Sequence, residues 1–460
     1  MNPAAGAGTV GVTLTSDLGT TGRGPARPAY LWCFLGVLVC NVFSGHWDQF
    51  GVPIGLDRLF FGLAVVLLLL DPWAWRRSLR VRPVHVAMFA LVVLAAVSAS
   101  GHGTLLSSLG LFAMLDRLVV PFLMFCIAPV VFDTPERRDL LLKTLVLLGI
   151  YLGATAVFET LQLWSLVWPR YIADPTVGIQ FGRARGPFVA SEAMGMACSA
   201  CAFAGAVAFA RWRGAWRGAA ALAVALGGAG VLMSLTRSVW VGTVLGVVLA
   251  MLSTPRLRRR LPLVLAALAV VVLALLAVVP GLSDNVSGRI GTTRSVQDRQ
   301  NTNAAALRIV EQEPLTGIGW SKFLDEAPDW VRQADSYPVT NVAIEVHNVV
   351  LSRAAELGLP GAALFVLCIL AGPWRALVQR RRPGAADDDL LGWWSISAGV
   401  TAVWSVTIML SPTPYPLPNS LVWLLAGISL TPYLLEKTDG ELPHPGRDGD
   451  RSGRADAVRR

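Results

Sequence analysis

Chemistry in this sequence is offered first by one histidine and a scatter of arginines. Of the five histidines, His347 alone lies in the long stretch 281–358. It opens V-H-N-V-V-L-S-R-A-A-E-L-G-L-P-G, which predicts a short amphipathic helix over 347–357. Gly358 is a natural residue just past a last turn and Pro360 a stop. A helix start disfavours an imidazolium, so His347 is expected to be neutral and fit for general-base work. Glu345 is the nearest alternative base in sequence, and Asn348 stands beside the histidine. Guanidinium forks bind phosphate and diphosphate bidentately, which makes the surrounding arginines candidate anion ligands.

The elements that must position these residues are set by composition. The chain has 460 residues, 54% hydrophobic and 15% charged. A soluble domain carries about 25% charged residues, so this chain needs lipid as its solvent. A membrane-spanning helix takes roughly 20 apolar residues. Twelve stretches qualify: 30–44, 54–70, 84–100, 111–132, 140–163, 188–210, 219–235, 238–253, 261–279, 359–377, 390–410 and 417–435. The interruption Leu235-Thr236-Arg237 splits what would otherwise read as one span over 219–253. The expectation is an all-α polytopic membrane protein, 30–435, between disordered tails at 1–29 and 436–460. Its one long soluble segment, 281–358, is expected outside the membrane, because long loops within compact domains are usually functional.

Orientation follows from the basic residues. With an inside N-terminus, every second loop carries a Lys/Arg cluster, as cytoplasmic loops do. Both termini are then cytoplasmic, in the inner membrane. Arg58 and Arg117 lie within spans, next to Asp57 and Asp116, and are expected to pair across helices. Eleven further Lys and Arg fall outside, against the insertion bias, and they are not evenly spread. Arg170, Arg183 and Arg185 follow span five. Arg237 stands in a tight turn after span seven. The others, including Arg289, Arg299 and Arg308, lie in the long loop and its exit helix. Such concentration points to one anion site, and an arginine at the membrane surface such as Arg237 is a functional candidate by default.

Nucleic-acid binding, a disulfide framework and a metal site are not expected. A net charge of +9 sits in short clusters between apolar runs, so it belongs to topology and not to nucleic acid. The six cysteines all lie in apolar runs, Cys198 and Cys201 included, and read as small helix residues. No acidic cluster has metal-ligand spacing, so no metal and no cofactor is expected. Asp387, Asp388 and Asp389 read as a solvated turn on the cytoplasmic side.

Three stretches resemble the O-antigen ligase and O-antigen polymerase superfamily of membrane glycosyltransferases. The first is R-A-R-G-P-F-V-A-S-E-A-M-G-M at 183–196, like that family's Arg-x-x-Gly-x-Phe before a central span. Where the family often continues with Pro-Asn, this chain has Val-Ala-Ser-Glu. The second is S-L-T-R-S-V-W-V-G at 234–242, like its Ser-Arg turn, although here the arginine precedes Ser238. The third and longest, 299–361, carries Arg299, a short amphipathic helix, Pro-Leu-x-Gly-x-Gly, a variable loop, then His-Asn and Glu-Leu-Gly-x-x-Gly. The matching core spans about 180–375 by residue number.

The resemblance implies a C-class glycosyltransferase fold without a metal. It implies a donor glycan on undecaprenyl diphosphate in the outer leaflet. It implies His347 as base for an acceptor hydroxyl, and Arg185, Arg237 and Arg299 as diphosphate ligands. Arg183, Arg289, Arg308, Glu345 and Asn348 stand as secondary positions. The acceptor is a glycan, a lipid or a protein, and residues 299–361 do not separate ligase from polymerase. A small-anion transporter and a non-catalytic partner in exopolysaccharide assembly are the alternatives from other classes.

Overall fold

The computed structural model describes residues 27–75, 80–252, 258–291, 294–331, 345–378, 388–412 and 415–435. The expected tails lie outside the described residues except for 27–29, as do 332–344 of the long loop. Asp387 lies outside them too, and so do the side chains of Arg289 and Asp388.

The described residues are helical, with no strand among them. In chain order we number α1 (Ala29–Asn41), α2 (Leu56–Leu70), α3 (Pro83–Gly101), α4 (Ser108–Val131), α5 (Pro135–Thr160), α6 (Ser191–Arg211), α7 (Ala215–Met233), α8 (Arg237–Leu252) and α9 (Leu261–Val278). Then come α10 (Leu282–Gly291), α11 (Arg294–Gln312), α12 (Phe323–Trp330), α13 (Val349–Ala371), α14 (Asp388–Ile408) and α15 (Pro416–Ser429).

Each of the twelve expected spans contains a helix. Among the described residues, eight helices are long and apolar enough to cross a bilayer. The four others, α1, α2, α8 and α15, run 13, 15, 16 and 14 residues. These fall short of the roughly 20 that a full crossing takes. Eight is therefore the number of spans that length and apolarity establish. α9 is apolar all round and buries no residue against the protein, which leaves lipid as its surroundings.

The core is a helix bundle. α6 packs on α5, α7 and α14, while α8 lies along α14. The second half of α4 packs on α15, and α13 on α3. Burying a lone charge is costly, and charged groups inside the bundle are paired: Arg58 of α2 reaches Asp116 of α4 at 2.9 Å. Asp57 accepts from Asn41 and Trp47. Asp116 and Arg117 sit in a π-helical turn, Leu115–Val119, which breaks α4.

The end of the bundle where α5 begins and α6 finishes holds a second ion network. Arg137 pairs with Asp133 at 2.9 Å, Arg138 with Asp389 at 2.5 Å, and Arg211 also reaches Asp389. Asp389 is therefore no solvated turn residue. Two arginines from other helices need a carboxylate there, because Arg138 is almost fully buried.

Between α9 and α13 the described chain forms α10, α11 and α12. The Pro-Leu-x-Gly-x-Gly motif at 314–319 locks this segment onto α13. Ile318 and Gly319 donate backbone hydrogen bonds to the carbonyls of Ala355 and Glu356, and Leu359 donates to Pro314. The close approach needs glycine at 358. Its φ is +70°, and a Cβ there would lie 2.3 Å from the Leu315 carbonyl oxygen. The expected helix after His347 thus exists, but it continues through a kink at Gly358 into the span. Trp320 fixes the other side. It donates from its indole to Gly110, accepts from Thr104, and lies under the guanidinium of Arg353.

Candidate active site

Six segments converge on a cavity of about 210 Å³. Ile179, Gln180 and Arg183 come from the α5–α6 connection. Glu192 comes from the first turn of α6, Thr236 and Arg237 from the α7–α8 turn, and Arg299 from α11. His347 stands just before α13, and Ser411, Pro412 and Tyr415 line the α14–α15 connection. His347, Arg237 and Arg299, far apart in sequence, meet here.

Local structure explains each placement. α7 ends at Met233, Leu235 takes a positive φ of 50°, and α8 starts at Arg237. The interruption read from the sequence is thus a real turn, and it delivers a guanidinium to the cavity. Ser191 ties this turn to the α5–α6 connection, since its hydroxyl contacts both Thr236 and Gln180. On α11, Asn301 and Thr302 are buried, which seats the helix and leaves Arg299 half-buried at the cavity.

Burial lowers the pKa of Arg299 and the nearby Arg237 guanidinium lowers it further, while Glu192 acts in the opposite direction. His347 is not in the first turn of α13. Asn348 is the cap, accepting from Leu351 N at 3.0 Å, so the histidine precedes the helix by two residues. Glu345 is occupied by Arg117 of α4 at 2.5 Å. That pair anchors the backbone two residues before His347.

The pair of arginines at 183 and 185 divides. Ala184 between them is buried, and its N–H donates to the Met233 carbonyl. Arg183 then faces the cavity and Arg185 faces away. Arg185, expected to bind diphosphate, is 1% exposed. Its guanidinium donates to the carbonyls of Val177, Ile172 and Asp174 at 2.7, 2.9 and 2.6 Å. Its fork is filled by the loop it holds together, and it does not line the cavity. Glu159 of α5 completes this corner by accepting from the backbone N–H groups of Arg185 and Gly186. Arg308 is likewise engaged elsewhere, donating to Trp330 at 2.7 Å and so holding α12 on α11.

Glu192, Tyr415, Gln180 and Ser411 were not read from the sequence as site residues. Glu192 had a signal. It is a carboxylate in the first turn of a buried span, where an ionisable group marks function by default. It lies 3.4 Å from the Ser238 hydroxyl and 3.5 Å from that of Tyr415. Burial first, and the Glu192 charge second, hold the Tyr415 phenol well above its ordinary pKa, so it stays a hydroxyl. The polar residues at 411–415 carried no signal, because nothing in sequence links that connection to the long loop. Among the described residues, no group of three or more His, Cys, Asp or Glu side chains could hold a metal ion.

A multi-pass helical membrane protein with a guanidinium-lined cavity and a histidine at its wall is the class that this fold and site define. Residues 222–366, which include Arg237, Arg299 and His347, match the family described as O-antigen ligase. That match, over about a third of the chain, supports a place in the O-antigen ligase and polymerase superfamily. The comparison with curated proteins finds no match.

Proposed function

We propose that the chain transfers a glycan from a polyprenyl diphosphate carrier to an acceptor hydroxyl at the outer face of the cytoplasmic membrane. The carrying observation is the cavity itself, where His347 shares one space with Arg183, Arg237 and Arg299. In this reading the guanidiniums of Arg237, Arg299 and Arg183 hold the diphosphate. Arg185 acts one layer back, by shaping the loop that presents Arg183. His347 takes the proton of the acceptor hydroxyl as its oxygen attacks the anomeric carbon. The bond from that carbon to the diphosphate oxygen breaks, and the lipid diphosphate leaves with the electron pair. Fixed guanidiniums in a partly enclosed cavity stabilise that developing charge strongly. No metal takes part in this scheme. Outside the cytoplasm, a lipid-linked donor supplies the activated sugar that a nucleotide sugar supplies inside.

The test uses the purified protein in detergent with lipid-linked glycan and acceptor, following release of undecaprenyl diphosphate. A general base contributes roughly 10² to 10⁴ in rate, so His347→Gln should lose at least about two orders of magnitude. A chelator should leave the wild-type rate unchanged. A fully active His347→Gln protein would falsify the base assignment.

A further inference from the structure

Among the described residues that line the cavity Glu192 is the one carboxylate, and the scheme above gives it no task. It is 5% exposed. Three guanidiniums share the space with it, and its charge acts on Arg299 across it. Three half-buried guanidiniums around one cavity repel one another, and a carboxylate among them offsets part of that repulsion. A diphosphate diester brings two fixed negative charges to the same guanidiniums. The carboxylate is then a like charge beside the ligand, in a cavity too small to keep them far apart.

Resting on the reading that the cavity binds a diphosphate, we propose that Glu192 is the site's resident counter-ion and a positioning residue for the arginines. As the lipid-linked donor binds, Glu192 takes up one proton from solvent, and it releases that proton as the diphosphate departs. In the empty site its charge keeps Arg299 in place. Protonated, it leaves the guanidiniums to the donor while Ser238 and Tyr415 still hold its carboxyl group. As the spent diphosphate leaves, Glu192 re-ionises and takes its place as counter-charge to the same cations.

The charged and titratable groups facing Glu192 are Arg183 on the α5–α6 connection, Arg237 at the start of α8 and Arg299 on α11. Among the described residues, His347 before α13 and Tyr415 before α15 complete the set, with Glu345 beyond Tyr415 paired to Arg117. Tyr415 is already protonated. His347 is the rival proton acceptor, and the experiment must separate the two.

The probe is methyl farnesyl diphosphate, a diester without a titratable phosphate near neutral pH, added to the full-length protein in detergent. Calorimetry in buffers of different ionisation enthalpy counts the protons taken up. Wild type and His347→Gln should each take up about one proton at about pH 8, while Glu192→Gln should take up none. Glu192→Gln should also bind the probe about tenfold more tightly at that pH, and the gap should close on acidification. Uptake that vanishes in His347→Gln, or wild-type binding without any proton, overturns the proposal and leaves the diphosphate site standing. No binding to wild type would overturn the diphosphate reading, and the role of Glu192 with it. The wild-type and His347→Gln measurements decide the matter even if Glu192→Gln does not fold.

Discussion

Arginines stand at both ends of α6, and their surroundings differ. At its last turn Arg211 shares Asp389 with Arg138, while Arg137 holds Asp133 and Lys143 holds Asp139. Four cations there face three carboxylates in direct contact. At its first turn, about 30 Å away along 21 residues of helix, Glu192 faces Arg183, Arg237 and Arg299 across a cavity. The first arrangement closes on itself and serves the fold. The second gathers three guanidiniums and one carboxylate around an open cavity, as the proposed ligand site requires. Sequence counts of Lys and Arg treat the two alike, and the difference is made by where carboxylates stand.

That contrast can be broken by substitution. The largest effect is expected from Arg237→Ala. Losing one fixed donor to a developing charge costs roughly 10² to 10³ in rate, with protein level and thermal unfolding near wild type. Arg237→Lys should recover only part of it, because an ammonium cannot reproduce the fork. Full recovery would make Arg237 a generic surface charge. Asp389→Ala should show the reverse pattern. Removing one partner of a buried pair costs about 3–5 kcal/mol, and partial exposure of Asp389 puts this case at or below the low end. Its thermal transition should drop clearly, with turnover per folded molecule kept.

Arg185→Met sharpens the contrast within three residues. Its three loop carbonyls lose their donors, at about 1–3 kcal/mol each if they stay buried. The expected readout is a lower unfolding temperature together with weaker donor binding, since the loop presenting Arg183 loosens. Arg183→Ala should weaken donor binding alone. If Arg185→Met retained full stability and lost only binding, Arg185 would belong in the site after all. Gly358→Ala should lower the unfolding temperature too, because φ of +70° with ψ of 179° is a conformation nearly confined to glycine, costing an L-residue about 1–3 kcal/mol, and the backbone contact with Leu315 adds to it. Turnover should fall with it, because the same junction seats α11 and the chain before α13.

Much of this was legible in the sequence for identifiable reasons. Apolar runs located every helix of the bundle, since lipid allows few alternatives to a helix. The turn at 235–237 announced itself by an arginine between two apolar runs. The motif 314–319 and Gly358 announced themselves as glycines, and the structure gives the reason in a backbone contact too close for a side chain. His347, Arg237 and Arg299 could be named because they stand where charge or a base is out of place. That Arg185 stands apart from the cavity was not legible, because sequence gives the count of arginines in R-A-R and not their facing. The burial of Ala184 decides which guanidinium turns inward, and that depends on Met233, some fifty residues on. Asp389 was misread because a run of three aspartates looks solvated until Arg138 and Arg211 arrive from other helices. Tyr415 entered the site through packing of α6 against the α14–α15 connection, which no local pattern records, whereas Glu192 carried the signal of a carboxylate opening a buried span.

The central claim is that the guanidiniums beside His347 hold a diphosphate, whereas those at the far end of α6 hold the fold. Thermal unfolding of the purified protein with and without methyl farnesyl diphosphate tests it directly. A ligand that binds only the native state raises stability by about 2.7 kcal/mol at a hundred times its dissociation constant. Wild type and Arg137→Lys should both show the ligand-induced rise, the latter from a lower starting temperature. Arg237→Ala should start at the wild-type temperature and show little or no rise. A full rise in Arg237→Ala, or a rise abolished in Arg137→Lys, would contradict the account.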